Sequence, residues 1–120
     1  MAWSRQRGQA TVELALLLPV LVMGALAIIQ VALVVRDQLA VVRAAREAVR
    51  TASVDRDVGH AVAAGQRVVP GASVMVKRPT KVGDVVDVDV SFRSVTELPL
   101  VGKLFPDPVL RAHAAMRVER

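Results

Sequence analysis

The sequence predicts an α+β protein in which a long N-terminal transmembrane and spine helix precedes a small three-stranded antiparallel sheet. Three observations carry this. Residues 14–35 form an apolar run with no charged side chain. A helical repeat of apolar residues then continues to about residue 54, and from about residue 72 the repeat shortens to two residues.

The apolar run LALLLPVLVMGALAIIQVALVV is about 33 Å long as a helix, enough to cross a hydrocarbon core of about 30 Å. It exceeds the 7 to 15 residues or so of a Sec signal core, so it reads as a span and not as a removable secretion signal. Arg5 and Arg7 precede it, and Arg36, Arg43, Arg46 and Arg50 follow it. Charge on both sides leaves orientation open. Beyond the span, Leu39, Val42, Ala45, Val49 and Ala52 are expected on one stripe, with Arg43, Glu47 and Arg50 on another. Pro19 and Gly24 are the interruptions between residues 9 and 54, and both are tolerated in membrane helices. One continuous rod of about 69 Å is therefore expected, kinked at Pro19.

The charges at Asp55 and Asp57 and the following Gly59 mark a turn, and HAVAAGQRVV is expected as a two-turn helix ending at Pro70-Gly71. ASVMVK reads as a first strand. DVVDVDVSFR is the clearest strand, with Val86, Val88, Val90 and Phe92 alternating against Asp87, Asp89, Ser91 and Arg93. A turn carrying Pro79 and Gly83 joins the two as an antiparallel hairpin. After the proline-rich stretch LPLVGKLFPDP, VLRAHAAMRVER reads as a third strand, with Leu110, Ala112, Ala114, Met116 and Val118 on its apolar side. A sheet this small needs a cover, and the apolar stripe of the rod after residue 36 supplies one.

Composition narrows the function. With 120 residues and no cysteine, there is room for one small domain and none for disulfides or thiolate chemistry. The formal charge is +5, but Trp3, Phe92 and Phe105 are the only aromatic residues, too few for a base-stacking surface. Anionic lipid is the better match for the arginines, and no nucleic-acid partner is expected. Asp87 and Asp89 share a strand face, and His60 and His113 are the only histidines; without a third ligand at metal-site spacing, all four read as surface residues. No phosphate loop or nucleophile elbow is present. No catalytic residue, cofactor, metal or small-molecule substrate is expected. Gln30 sits within the span, where its amide either meets a neighbouring helix or lies near the outer interface, and Gly24 and Ala27 allow close helix approach.

Glu13 is the sharpest feature, because a carboxylate abutting the span costs up to about 3 kcal/mol if drawn to mid-membrane, and less at the interface. In its context, SRQRGQATVELALLLPVLVMGALAI, the chain resembles the N-terminus of TadE-like proteins, minor pseudopilins of the tight-adherence (Flp-type) pilus systems of bacteria. The resemblance rests on a short basic leader, a glycine, a glutamate five positions after it, and an apolar run with an early proline. It implies a class III signal peptide cut by a prepilin peptidase between Gly8 and Gln9, with Glu13 pairing the new amine of a neighbouring subunit. It implies a basic leader at 1–8, a transmembrane helix at 9–35 and an extracytoplasmic domain at 36–120 with a pilin-like fold, the N-terminus facing the cytoplasm. The implied partners are the lipid bilayer, other pilus subunits and their assembly machinery. Leu14 follows the glutamate where the major Flp pilins typically carry an aromatic, which favours a minor component. A permanently anchored envelope protein with a partner-binding external domain is the alternative, and retention of the leader distinguishes it. A tethered nucleic-acid binder would instead show salt-dependent DNA binding.

Overall fold

A computed structural model describes the backbone of residues 2–94 and 107–119 and the side chains from residue 8 onward. The sequence expectations for Trp3, Arg5, Arg7 and Phe105 and for the loop at residues 95–106 lie outside the described side chains. Helix α1 runs unbroken over Ala2–Val54, α2 over Val58–Val68, and strands β1, β2 and β3 over Ser73–Lys77, Val85–Arg93 and Val109–Arg117. The α+β arrangement is the predicted one. Its longest dimension is 88 Å, set by α1. The rod begins earlier than residue 9, and α2 has 11 residues, three turns where two were expected. Its N-cap explains the extra turn: the Asp57 carboxylate accepts the Gly59 amide at 2.9 Å, starting the helix two residues before His60.

The sheet order is β1-β2-β3, an antiparallel meander. Gly83 takes φ 95° in the turn between β1 and β2, the left-handed backbone that a glycine adopts without a Cβ clash. Val86, Val88 and Val90 are fully or almost fully buried on the inner face of β2. Each contributes about 1.5 to 3 kcal/mol of hydrophobic stabilisation. α1 covers that face, and α2 packs beside α1.

The helix stripe differs from the expected one. The buried positions of α1 are Val41, Ala44, Ala45, Ala48, Val49 and Ala52, whereas Leu39 is 54% exposed and Val42 is half-buried. Two residues turn an α-helix by about 200°, so Leu39 lies almost opposite Val41. The face chosen is the one rich in alanine, because α1 must pass close to both the sheet and α2. At the tightest point, a Cβ on Gly65 of α2 would lie 3.0 Å from Val74 Cγ2 and 3.4 Å from Ala48 Cβ. Leucine on that face would not fit. In β3 the apolar side is weaker than predicted: Leu110 is buried, but Met116 is 38% exposed because it reaches the margin of the helix cover.

The far end of the domain closes with long-range hydrogen bonds to the backbone of α1. Arg78 Nε donates to the Ala52 carbonyl at 2.6 Å, and the Glu119 amide donates to Ser53 O at 2.9 Å, satisfying carbonyls that α1 leaves open at its C-terminus. The arginine also places positive charge at the negative end of the helix dipole.

Candidate membrane and assembly segment

Gly8, Gln9, Glu13 and Pro19 lie on the first part of α1, and every residue from 8 to 25 is exposed. The helix is long and apolar enough to cross a membrane, and the most apolar 18-residue window has a mean hydropathy of 2.6 with none of it buried by the rest of the chain. Leu16, Leu17, Leu18, Val20 and Leu21 are each more than half exposed. In water that surface would be strongly unfavourable, so lipid or other helices must cover it.

Glu13 is exposed and makes no ion pair with another described residue. Gly8 has open space around it: a Cβ built there meets nothing within 4 Å, and the same holds for Gly24. Packing within the chain does not require glycine at either position. Pro19 lies inside the helix and lacks an amide donor, leaving the carbonyl four residues earlier without its helical partner. Gln30 is half-buried.

The sheet domain is tied to the helix where the apolar run ends. Asp37 Oδ2 accepts the Ser94 hydroxyl at 2.7 Å, Asp37 Oδ1 lies 3.1 Å from the Arg36 guanidinium, and Gln38 Nε2 donates to the Arg111 carbonyl at 3.2 Å. Ser94 is buried. These bonds fasten the end of β2 and the start of β3 to the first helical turn beyond the span. Sequence reading missed Ser94 and Gln38, since neither type nor spacing marks a contact made across 57 or 73 residues.

The two histidines are surface groups, as expected, yet each faces a pair of carboxylates. His113 Nδ1 is 3.0 Å from Asp89 Oδ1 and its Nε2 is 3.4 Å from Asp87 Oδ1, a meeting set by the β2–β3 register that pairs Asp89 with His113. His60 Nδ1 is 2.6 Å from Asp55 Oδ2 and its Nε2 is 3.6 Å from Asp57 Oδ2. The hydrogen bond and charge of Asp55, followed by the charge of Asp57, raise the His60 pKa above the ordinary histidine value. Asp55 is held below the usual carboxylate range, first by the Asp57 amide bonded to it and then by His60. Among the described residues, no group of three or more His, Cys, Asp or Glu side chains is arranged to hold a metal ion.

Residues 8–50 match the family model of TadE-like proteins. The match begins at Gly8, takes in Glu13, Pro19 and the whole apolar run, and ends within the part of α1 that carries the sheet. No curated protein and no solved structure matches the chain. Over that stretch, the apolar helix and its junction with the sheet domain, the chain is similar to TadE-like proteins.

Proposed function

We propose that this chain is a minor pseudopilin-like component of a tight-adherence (Flp-type) pilus or secretion apparatus, held in the cytoplasmic membrane by α1 and assembling through it. The observation that carries the reading is the similarity to TadE-like proteins across residues 8–50, beginning at the glycine of the proposed processing site. The fold supports it from another side, because the chain itself leaves uncovered the helix surface that neighbouring subunits would cover.

In this reading residues 1–8 are a basic leader facing the cytoplasm, 9–35 cross the membrane, and 36–120 form the extracytoplasmic domain. A prepilin peptidase cuts between Gly8 and Gln9. The open space around Gly8 fits a glycine selected by an enzyme and not by packing. Cleavage creates an ammonium at Gln9, and the exposed Glu13 carboxylate is then available to the amine of a neighbouring subunit. The Coulomb attraction within such a pair rises as lipid and helices exclude water from it, and opposes the cost of desolvating both charges. Pro19 kinks the helix a turn and a half further on.

The test is the intact mass of the protein from its native envelope, with Gly8→Leu as control. Loss of residues 1–8 from the wild type alone is the expected result. Retention of the leader in both, with an active peptidase present, would replace this reading with a permanently anchored envelope protein.

A further inference from the structure

The sheet ends in an open edge. Flanking bonds set its phase: the Ser94 amide donates to Pro108 O, the Val118 amide to Asp84 O, and the Gly83 amide to Val118 O. All lie at even positions of β3 and its extensions, so even residues of β3 bond to β2, and the backbone groups of Val109, Arg111, His113, Ala115 and Arg117 point away from it. Gln38 takes the Arg111 carbonyl. Among the described residues nothing bonds to the outward groups of His113, Ala115 and Arg117.

Beside this edge lies a groove of about 770 Å³ lined by His113–Met116, the flank of α1 and Val68 of α2. Its floor includes Val42 and Val49, and Arg43, Arg46 and Arg50 rim it, with Glu47 as the acidic member of that face. None of these arginines is ion-paired with another described residue. Arg43 and Arg50 are about 10.5 Å apart along the helix, and His113 and Arg117 about 13.5 Å apart along the strand. The backbone edge and the cationic rim therefore run side by side over the same length.

We propose that this edge and groove form an acceptor for an extended acidic segment of another protein, which adds to β3 as a fourth strand and sets its carboxylates against Arg43, Arg46 and Arg50. Main-chain bonds supply the affinity and the arginines the selectivity. Charge selects this occupant over two others. A second copy would bring the same basic edge, with Arg111 and Arg117 on the strand, and like charges repel. Lipid head groups extend only about 5 to 8 Å beyond the hydrocarbon, whereas Arg46 and Arg50 stand about 16 and 22 Å past residue 35 along α1. The inference is independent of leader cleavage.

The experiment uses the full chain in neutral-lipid nanodiscs and two nine-residue peptides that alternate valine with glutamate or valine with lysine. The glutamate peptide is expected to slow hydrogen exchange at the His113, Ala115 and Arg117 amides and to bind at least about tenfold more tightly than the lysine peptide. Ala115→Pro removes one outward donor and should abolish binding while the β2 amides stay protected. Arg46→Glu with Arg50→Glu lies on an exposed helix face and should reverse the preference for glutamate over lysine. Equal binding of the two peptides, or none, overturns the proposal. Protection that grows with protein concentration without peptide would assign the edge to a second copy, and protection induced by anionic nanodiscs alone would assign it to lipid; either also overturns it.

Discussion

The closest approach in the domain makes a prediction whose sign depends on its surroundings. Replacing Gly65 with alanine in α2 adds helix propensity of about 1 kcal/mol. The same methyl would lie 3.0 Å from Val74 Cγ2 and 3.4 Å from Ala48 Cβ, inside the usual carbon–carbon separation of about 3.5 to 4.0 Å. Ala48 is fully buried on α1 and cannot yield without moving the helix, so much of the adjustment falls on Val74 at the sheet edge. Overpacking of this kind costs about 1 to 3 kcal/mol, so Gly65→Ala should destabilise by about 0 to 2 kcal/mol. In a Val74→Ala background the nearer contact disappears, and the same substitution should become neutral or stabilising. The expected coupling is about 1 to 2 kcal/mol. Amide exchange at Val86, Val88 and Val90 in nanodiscs measures it, since these sites report opening of the domain and not of the span. Equal effects in both backgrounds would refute the reasoning, because the α1–α2 gap would then not be limited by Val74.

Two further outcomes follow from the structure and a third from the proposed function. Arg78→Ala removes a charge-assisted bond to Ala52 O and should destabilise the domain by about 1.5 to 3 kcal/mol, with faster exchange at the last turn of α1. Because His60 is raised in the folded state, its contribution is complete below about pH 6.5 and is lost as pH rises through the folded value; the depressed Asp55 contributes above about pH 3.8 and is lost as pH falls through its own folded value. An NMR titration should place His60 above the ordinary histidine midpoint, and Asp55→Asn should lower it. Glu13→Ala should leave membrane insertion intact while impairing assembly, as scored by envelope fractionation and piliation; full piliation would remove the pairing role.

The strands were legible because their alternation survives in the residues themselves: Val86, Val88 and Val90 against Asp87 and Asp89 leave one choice of inner face. The rod was legible for a similar reason, its apolar run being too long for other uses. The buried stripe of α1 was less so. Leucine and valine suggested one face, but proximity to α2 and the sheet selected the alanines at 44, 45, 48 and 52, where small size matters more than hydrophobicity. The partners of His113 depend on cross-strand register, and the ties Asp37–Ser94 and Arg78–Ala52 on tertiary closure, neither of which has a local sequence signal. Glu13 and Gly8 stood out for the opposite reason. They satisfy no need of the folded chain, and such residues are conspicuous in a sequence because local rules do not explain them.

The unbroken passage of α1 from the apolar run into the domain has a mechanical consequence. With no hinge between Val35 and Asp37, the angular phase of the sheet domain is locked to that of the apolar segment. One residue inserted there would swing the domain by about 100° and lift it by about 1.5 Å, while four would return it to within about 40° of its starting heading at a height of about 6 Å. The register of the junction thus acts as a compass setting: whatever holds the membrane helix in a given rotation also decides which side of the domain its neighbours meet.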